Sequence, residues 1–204
     1  MIGAFICTRG LVFAETINSI IENGVTLFPL IIGKPIPEAQ NQAVLDGLAS
    51  HIDLILFVEE DIFLPEGTID KMLRKIAEGA DVVCVDYPVN GGWSTIKEVD
   101  GVIQHCGLGC TLIKRKVFEK ITPPWFETDK SINADTGELM NIPMKYGGHD
   151  IMFGIKVREH GFVIKQAKGI ECRHLRSPNL VRKENNNDVY KIETLPRVSK
   201  LQNK

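Results

Sequence analysis

The run Leu54-Ile55-Leu56-Phe57-Val58 ends without transition in three carboxylates, Glu59-Glu60-Asp61, and this junction constrains the chain more than any other stretch. Apolar residues with no polar alternation read as a strand buried on both faces, the pattern of a parallel sheet covered by helices. The acids then stand at the carboxyl end of that strand. In open α/β sheets, ligands bind in the crevice outside those ends. Glu59 and Asp61, two apart on an extended chain, point the same way and offer hard oxygen ligands suited to Mg²⁺ or Mn²⁺, which can bridge the phosphates of a nucleotide. The competing reading is a solvated acidic turn, because Pro65-Glu66-Gly67 soon follows and could start a helix.

The flanking segments repeat one unit. A first strand, Ile2 to Cys7, is followed by Thr8-Arg9-Gly10 and a helix over Phe13 to Asn23 closed by Gly24. Val25 to Ile32 reads as a second strand, turned by Gly33-Lys34-Pro35 into a helix over Pro37 to Ser50. Asp53 to Val58 is the third strand, Glu66 to Gly79 its helix, and Asp81 to Val85 the fourth strand. Successive βα units imply a mostly parallel sheet with right-handed crossovers, in a three-layer α/β/α sandwich. A dinucleotide-binding Rossmann domain is excluded, because the loop after the first strand has no GxGxxG.

The alternation stops at Asp86. Tyr87 to Trp93 is loop chemistry, with Trp93 placed either to stack on a sugar face or to cover the core edge. Gly107 to Ile113 reads as a strand whose glycines permit close approach of a ligand or a backbone, and a short helix over Lys116 to Lys120 follows. The long aperiodic segment from Thr122 to Gly148 fits an acceptor-side lid. It runs into a helix over Ile151 to His160, where Asp150 is placed as an N-cap or as a reactive carboxylate, and a last strand covers Phe162 to Gln166.

Bulk properties remove other classes. No apolar run reaches the roughly 20 residues of a membrane span, and the first residues lack the basic, long-apolar pattern of a signal peptide, so a cytoplasmic location is expected. The five cysteines form no CxxC pair and read as reduced and structural. Residues 1–164 carry 14 basic and 22 acidic side chains, residues 165–204 carry 10 and 4. The acidic body argues against nucleic acid; the basic end is either solvated or a peripheral contact for anionic lipid or phosphate.

Taken in order, these residues resemble glycosyltransferases of the GT-A fold, most of all the large family 2 grouping, over roughly residues 2 to 176, with 177–204 as a basic polar tail. Leu56 to Asp61 resembles that family's strand ending in a DxD motif, with Glu59 in place of the first aspartate. Gly107 to Phe118 resembles its glycine-containing strand and the helix start after it, and Pro37 to Val44 its "ARNxAV" helix with Gln40 for the arginine. Gly148 to Phe153 resembles the "GEDxxF" helix start with His149 for the glutamate, and His174 its C-terminal metal-binding histidine.

The resemblance implies transfer of a sugar from a nucleotide-diphosphate sugar to an acceptor hydroxyl on a carbohydrate, lipid-linked or protein acceptor. Asp61, Glu59 and His174 are expected to hold Mn²⁺ or Mg²⁺, and Asp150 to act as general base with inversion at the anomeric carbon. Thr8, Arg9, Gln40, Asn41, Glu60 and Arg176 are the expected donor contacts, and Trp93, Gly109 and His149 the acceptor contacts. Two other classes compete. A sugar-phosphate nucleotidylyltransferase would need a longer glycine- and arginine-rich first loop, and a non-catalytic nucleotide- or carbohydrate-binding relative would keep the site without turnover.

Overall fold

A computed structural model describes residues 1–87, 94–128 and 148–175, together with the backbone of four short strands at 131–132, 139–140, 181–183 and 190–192. In chain order the elements are β1 (Ile2–Thr8), α1 (Ala14–Glu22), β2 (Thr26–Leu27), β3 (Ile31–Ile32), α2 (Ile36–Ala49), β4 (Leu54–Val58), β5 (Ile62–Phe63), α3 (Thr68–Ala77), β6 (Val82–Asp86), β7 (Ile96–Val99), β8 (Val102–Cys106), β9 (Cys110–Lys114), α4 (Arg115–Lys120), β10 (Ser131–Ile132), β11 (Leu139–Met140), α5 (His149–Glu159), β12 (Ile164–Glu171), β13 (Arg173–His174), β14 (Val181–Lys183) and β15 (Tyr190–Ile192).

The central sheet runs β12-β6-β9-β4-β1-β2, with β3 also on β1. Every pair is parallel except those of β9, which is antiparallel to both β4 and β6 and lies between them. The expected mixed, mostly parallel α/β sheet is therefore present, with one reversed strand in its middle. That strand is apolar on both faces like its neighbours, so its composition carries no sign of direction.

Side-chain alternation divides the core into two layers. Phe5, Ile55, Phe57, Cys84 and Ile113 meet Ala43 and Val44 of α2, Phe118 of α4 and Phe153 and Val157 of α5. Ala4, Ile6, Leu56, Val58, Val83 and Leu112 meet Ile20 of α1 and Ile69 and Met72 of α3 on the opposite face. The expected three layers follow from this period of two. All five cysteines are free thiols, four of them buried, as the sequence implies.

Three expectations are corrected. The second strand is not continuous: Pro29, which has no N–H to give, separates β2 from β3. Along this pair β1 advances from Ala4 to Cys7 while its partner advances from Leu27 to Ile31, one residue more, so the edge bulges between them; the Phe28 N–H still donates to the Ala4 carbonyl at 2.9 Å, and its ring stacks on Phe5 with centroids 4.6 Å apart. Beyond the expected end of the alternation at Asp86, residues 94–106, for which no element was expected, hold the β7–β8 hairpin, closed at Asp100-Gly101 with φ of 50° and 76°. Asp100 is a non-glycine residue with positive φ, as the first position of such a tight turn requires. Finally, Asp150 is not the cap of α5. That position belongs to Gly148 at φ 77°, and Asp150 lies in the first turn, where its Oδ1 accepts the Ile151 N–H at 2.9 Å. Among the described residues no helix is long and apolar enough to cross a membrane.

Candidate active site

A cleft of about 1080 Å³ opens at the carboxyl ends of β1, β3 and β4, as the sheet topology predicts. Its volume suits a ligand of nucleotide-sugar size. Gly33 to Pro37 and Gln40 form one wall, Phe126 to Thr128 and His149 another, and Glu59 to Asp61 with His174 lie at the strand ends between them.

The acids do not continue the strand. The Ile62 N–H donates to the Glu59 carbonyl at 3.3 Å, so the chain turns at once and enters β5. This short strand pairs antiparallel with β13, with His174 opposite Ile62. Its register carries a residue from the far end of the fold back to the acidic turn: His174 Nε2 lies 3.2 Å from Asp61 Oδ1, and the Leu175 N–H donates to the Asp61 carbonyl at 2.7 Å. One ligand atom each from Glu59, Asp61 and His174 falls within 4.8 Å of the others. Two carboxylates and an imidazole form a donor set suited to a divalent cation such as Mn²⁺.

The electrostatics fit that use. Glu59 is exposed to the cleft, but protein crowds its carboxyl, and this desolvation, with the charges of Asp61, Asp150 and Glu60 adding to it against a hydrogen bond from Tyr87, pushes the carboxyl up from its ordinary 4.5 to about 7. Crowded acids of this kind repel one another unless a cation or a proton intervenes. The sequence alone did not point to Tyr87, which is buried at the edge of the cluster. Its hydroxyl accepts the Gly109 N–H at 2.8 Å and donates to Glu59 Oε1 at 3.4 Å, and its ring meets that of His174 edge-on, with centroids 6.2 Å apart. A motif of strand-end acids names no such partner, because the phenol arrives from the end of β6, 28 residues downstream of Glu59.

The other expected residues divide sharply. Arg9 lines the cleft and is exposed, with its guanidinium 3.9 Å from Glu60 Oε1. Gln40 lines it too, buried, with its Oε1 bonded to nothing among the described residues. His149 is in the wall; burial depresses its imidazole below the ordinary 6.5, so it is neutral at neutral pH. Asp150, by contrast, is not among the residues that line the cleft, yet its charge raises the Glu59 carboxyl and the Tyr87 hydroxyl.

Four of the expected residues also have structural work, and two of them, Glu60 and Asn41, line the cleft as well. Thr8 is buried, and its hydroxyl is bonded to the Glu60 carboxylate, the Leu11 carbonyl and the Gly10 N–H. Glu60 thereby clamps the β1–α1 loop, which its own carbonyl also holds through the Phe13 N–H at 3.0 Å. Asn41 uses both ends of its amide: Nδ2 donates to Pro37 and Phe126 carbonyls at 2.8 Å, and Oδ1 accepts the Trp125 and Phe126 N–H groups at 2.9 and 3.1 Å. It pins the Trp125–Phe126 loop to α2. Gly109 makes room for Tyr87, since a Cβ there would lie 2.4 Å from the Tyr87 ring. Trp93, Arg176 and most of the expected lid at 122–148 lie outside the described residues. Glu127, at its described start, lines the cleft and pairs with Lys156 at 2.7 Å.

No protein-family model matches the chain, and no curated protein sequence does. Solved structures do. The crystal structure of A197 from STIV superposes with a TM-score of 0.65 at 22% identity, over 98% of both chains. The catalytic domain of Drosophila β1,4-galactosyltransferase 7, in complex with xylobiose, gives 0.53 at 13% identity over 93% of this chain and 76% of that one. Residues 1–349 of S. aureus TarS, in complex with UDP-GlcNAc, give 0.54 at 13% identity over 88% of this chain and 62% of that one. At these identities the likeness is one of fold: the chain has the GT-A-like architecture of nucleotide-sugar transferase domains.

Proposed function

We propose that this protein is a metal-dependent glycosyltransferase of the family 2 kind, which moves a sugar from a nucleoside-diphosphate sugar to an acceptor hydroxyl with inversion of configuration. The observation that carries the reading is the convergence of Glu59, Asp61 and His174 at the end of β4, on a cleft of about 1080 Å³, in a fold shared with glycosyltransferase domains. That TarS was solved with UDP-GlcNAc and the galactosyltransferase with xylobiose supports a reading in which this cleft takes a nucleotide sugar and a second sugar.

Asp61, Glu59 and His174 would hold Mn²⁺ or Mg²⁺, the imidazole favouring Mn²⁺. Bound there, the ion would supply Lewis-acid neutralisation of charge on the leaving diphosphate. The chain's own groups do the rest. Arg9 adds positive charge at the donor side of the cleft, which the Gly33–Pro37 wall also lines. Asp150, in the first turn of α5, takes the acceptor proton as the oxygen attacks the anomeric carbon from the face opposite the diphosphate. Neutral His149 beside it offers the acceptor a hydrogen-bond partner without a competing charge.

Thermal-shift measurement with nucleoside diphosphates, with and without Mn²⁺, tests donor binding. A diphosphate at about a hundred times its Kd adds ~2.7 kcal/mol, and the gain is expected only with the metal present. Mn²⁺-dependent release of free sugar from a UDP-sugar then separates an enzyme from a binding protein. No stabilisation by any diphosphate with Mn²⁺ overturns the proposal.

A further inference from the structure

We infer that Tyr87 is a positioning residue that holds the Glu59 carboxylate in place for the cation; this rests on the metal reading above. Tyr87 is 2% exposed, so its hydroxyl is shielded from bulk water and its partners are set by the fold. A phenol has one proton. Because the oxygen accepts the Gly109 N–H at 2.8 Å, that proton is left to donate, and Glu59 Oε1 is the acceptor it meets, at 3.4 Å. The Glu59 N–H donates to the Gly109 carbonyl at 3.2 Å. The bonds therefore close a ring, from the Glu59 backbone to Gly109, from Gly109 to Tyr87, and from Tyr87 back to the Glu59 side chain. Backbone and carboxylate of one candidate ligand are fixed against the same point.

The chain has cleared space for this phenol. A Cβ at Gly107 would lie 2.3 Å from the Tyr87 oxygen, and one at Gly109 would lie 2.4 Å from the ring carbon that bears it. The Gly107 clearance is the one aimed at the hydroxyl; at Gly109 the nearest atom is a ring carbon that a phenylalanine would also have, so that glycine admits the ring as a whole. From the other side, Asp86 Oδ1 accepts the Tyr87 N–H at 3.0 Å and so anchors the residue's backbone at the end of β6. The ring also meets His174 edge-on, so one side chain abuts two of the three candidate ligands. Groups that orient metal ligands in this manner matter for affinity nearly as much as the ligands themselves.

The test is a double-mutant cycle read by Mn²⁺ titration, with free Mn²⁺ followed by electron paramagnetic resonance and no turnover required. Wild type, Tyr87→Phe, Glu59→Ala and the double variant are compared, each with its melting temperature. Tyr87→Phe is expected to weaken Mn²⁺ binding by roughly 10- to 100-fold, and to change nothing further once Glu59 is Ala. Wild-type affinity in Tyr87→Phe overturns the inference, and so does a loss that persists in full in the Glu59→Ala background, which would mark general loosening. Wild type that binds no Mn²⁺ overturns the metal reading and this inference together. Should Tyr87→Phe not fold, the wild type still decides. With only three tyrosines in the chain, the ring carbon bearing the Tyr87 hydroxyl can be followed by NMR, and its resonance must move on Mg²⁺ saturation. An unmoved resonance with Mg²⁺ bound refutes the coupling.

Discussion

Replacing Glu59 with Gln is expected to make the metal-free protein more stable while removing its response to metal. The carboxyl, raised to about 7 by desolvation and by Asp61, Asp150 and Glu60, sits well above its unfolded value near 4.5. A carboxyl raised in the folded state contributes stability that is present below the unfolded value and lost as pH rises through the folded one. Wild type should therefore fall behind Glu59→Gln as pH climbs from about 4.5, with the gap level above about 7. Taken at face value the shift is worth ~3 kcal/mol. Glu59 opens into the water of the cleft, so screening reduces this to about 1 kcal/mol, or ~2–4 °C for a chain of this length.

The comparison with Glu59→Gln matters because two histidines titrate in the same window with opposite sign. Burial holds His105 and His149 below their ordinary 6.5, so each contributes stability above that value that is lost as pH falls. They cancel in the difference between the two proteins. Melting temperatures of both, in chelator, at pH 5, 6, 7 and 8, give that difference directly. A gap near zero at pH 5 that opens to a few degrees at pH 8, with Mn²⁺ then raising wild type alone, is the expected result. If Glu59→Gln melts at or below wild type at pH 8 without metal, the crowding of charge around Glu59 is not real.

Asp150→Asn should leave the melting temperature nearly unchanged, because an amide oxygen can still accept the Ile151 N–H, while sugar transfer falls by ~10²–10⁴-fold in a chemistry-limited assay. Transfer near the wild-type rate would move the base elsewhere, with Glu127 next to be tested. Gly109→Ala drives a Cβ into the Tyr87 ring and should cost ~1–3 kcal/mol, read by denaturant titration; an unchanged midpoint would show that the ring moves freely. At Asp81 burial opposes ionisation, but Lys116, the Val163 N–H and Lys114 outweigh it and hold the carboxyl below its ordinary 3.8. Its stabilisation is therefore present above that value and lost in acid, and Asp81→Ala should cost ~2 kcal/mol at pH 7 and progressively less below pH 4. An equal cost at pH 7 and pH 3 would contradict the ionic account.

Most of the sheet was legible because its signals are long. Runs such as Leu54 to Val58 and amphipathic helices such as α3 span several periods, and burial on one or two faces imposes the pattern on the sequence. What escaped was short or directionless. The strands β5 and β13 have two residues each, too few to display any period, yet their register brings His174 to Asp61. The β7–β8 hairpin had its turn signal in Asp100-Gly101, but its first strand, Ile96-Lys97-Glu98-Val99, is half charged and half exposed and lacks an apolar face.

The candidate site was legible in its charges and illegible in its hydrogen bonds. A polar residue near a ligand and a polar residue that holds a loop look the same in a sequence, since both supply donors and acceptors at a loop. Thr8 and Glu60 hold a loop through each other, and Asn41 through backbone groups on both sides of it, while Glu60 and Asn41 also line the cleft. The three consecutive acids show the division most clearly. Glu60 is tied to Thr8 and to the Arg9 N–H, and so builds the loop at the edge of the cleft, while Glu59 and Asp61 on either side converge on His174. The chain turns directly after Val58, so strand alternation does not extend through all three and cannot be what separates them. What separates them is partner supply: Thr8 lies at the end of β1 beside β4 and meets Glu60, whereas the phenol that meets Glu59 arrives from β6, on the far side of β9. A glutamate at 59, longer by one methylene than an aspartate, has the reach to keep its backbone on Gly109 and its carboxylate toward Tyr87 at once, and the 3.4 Å gap to the phenol leaves no slack for a shorter arm.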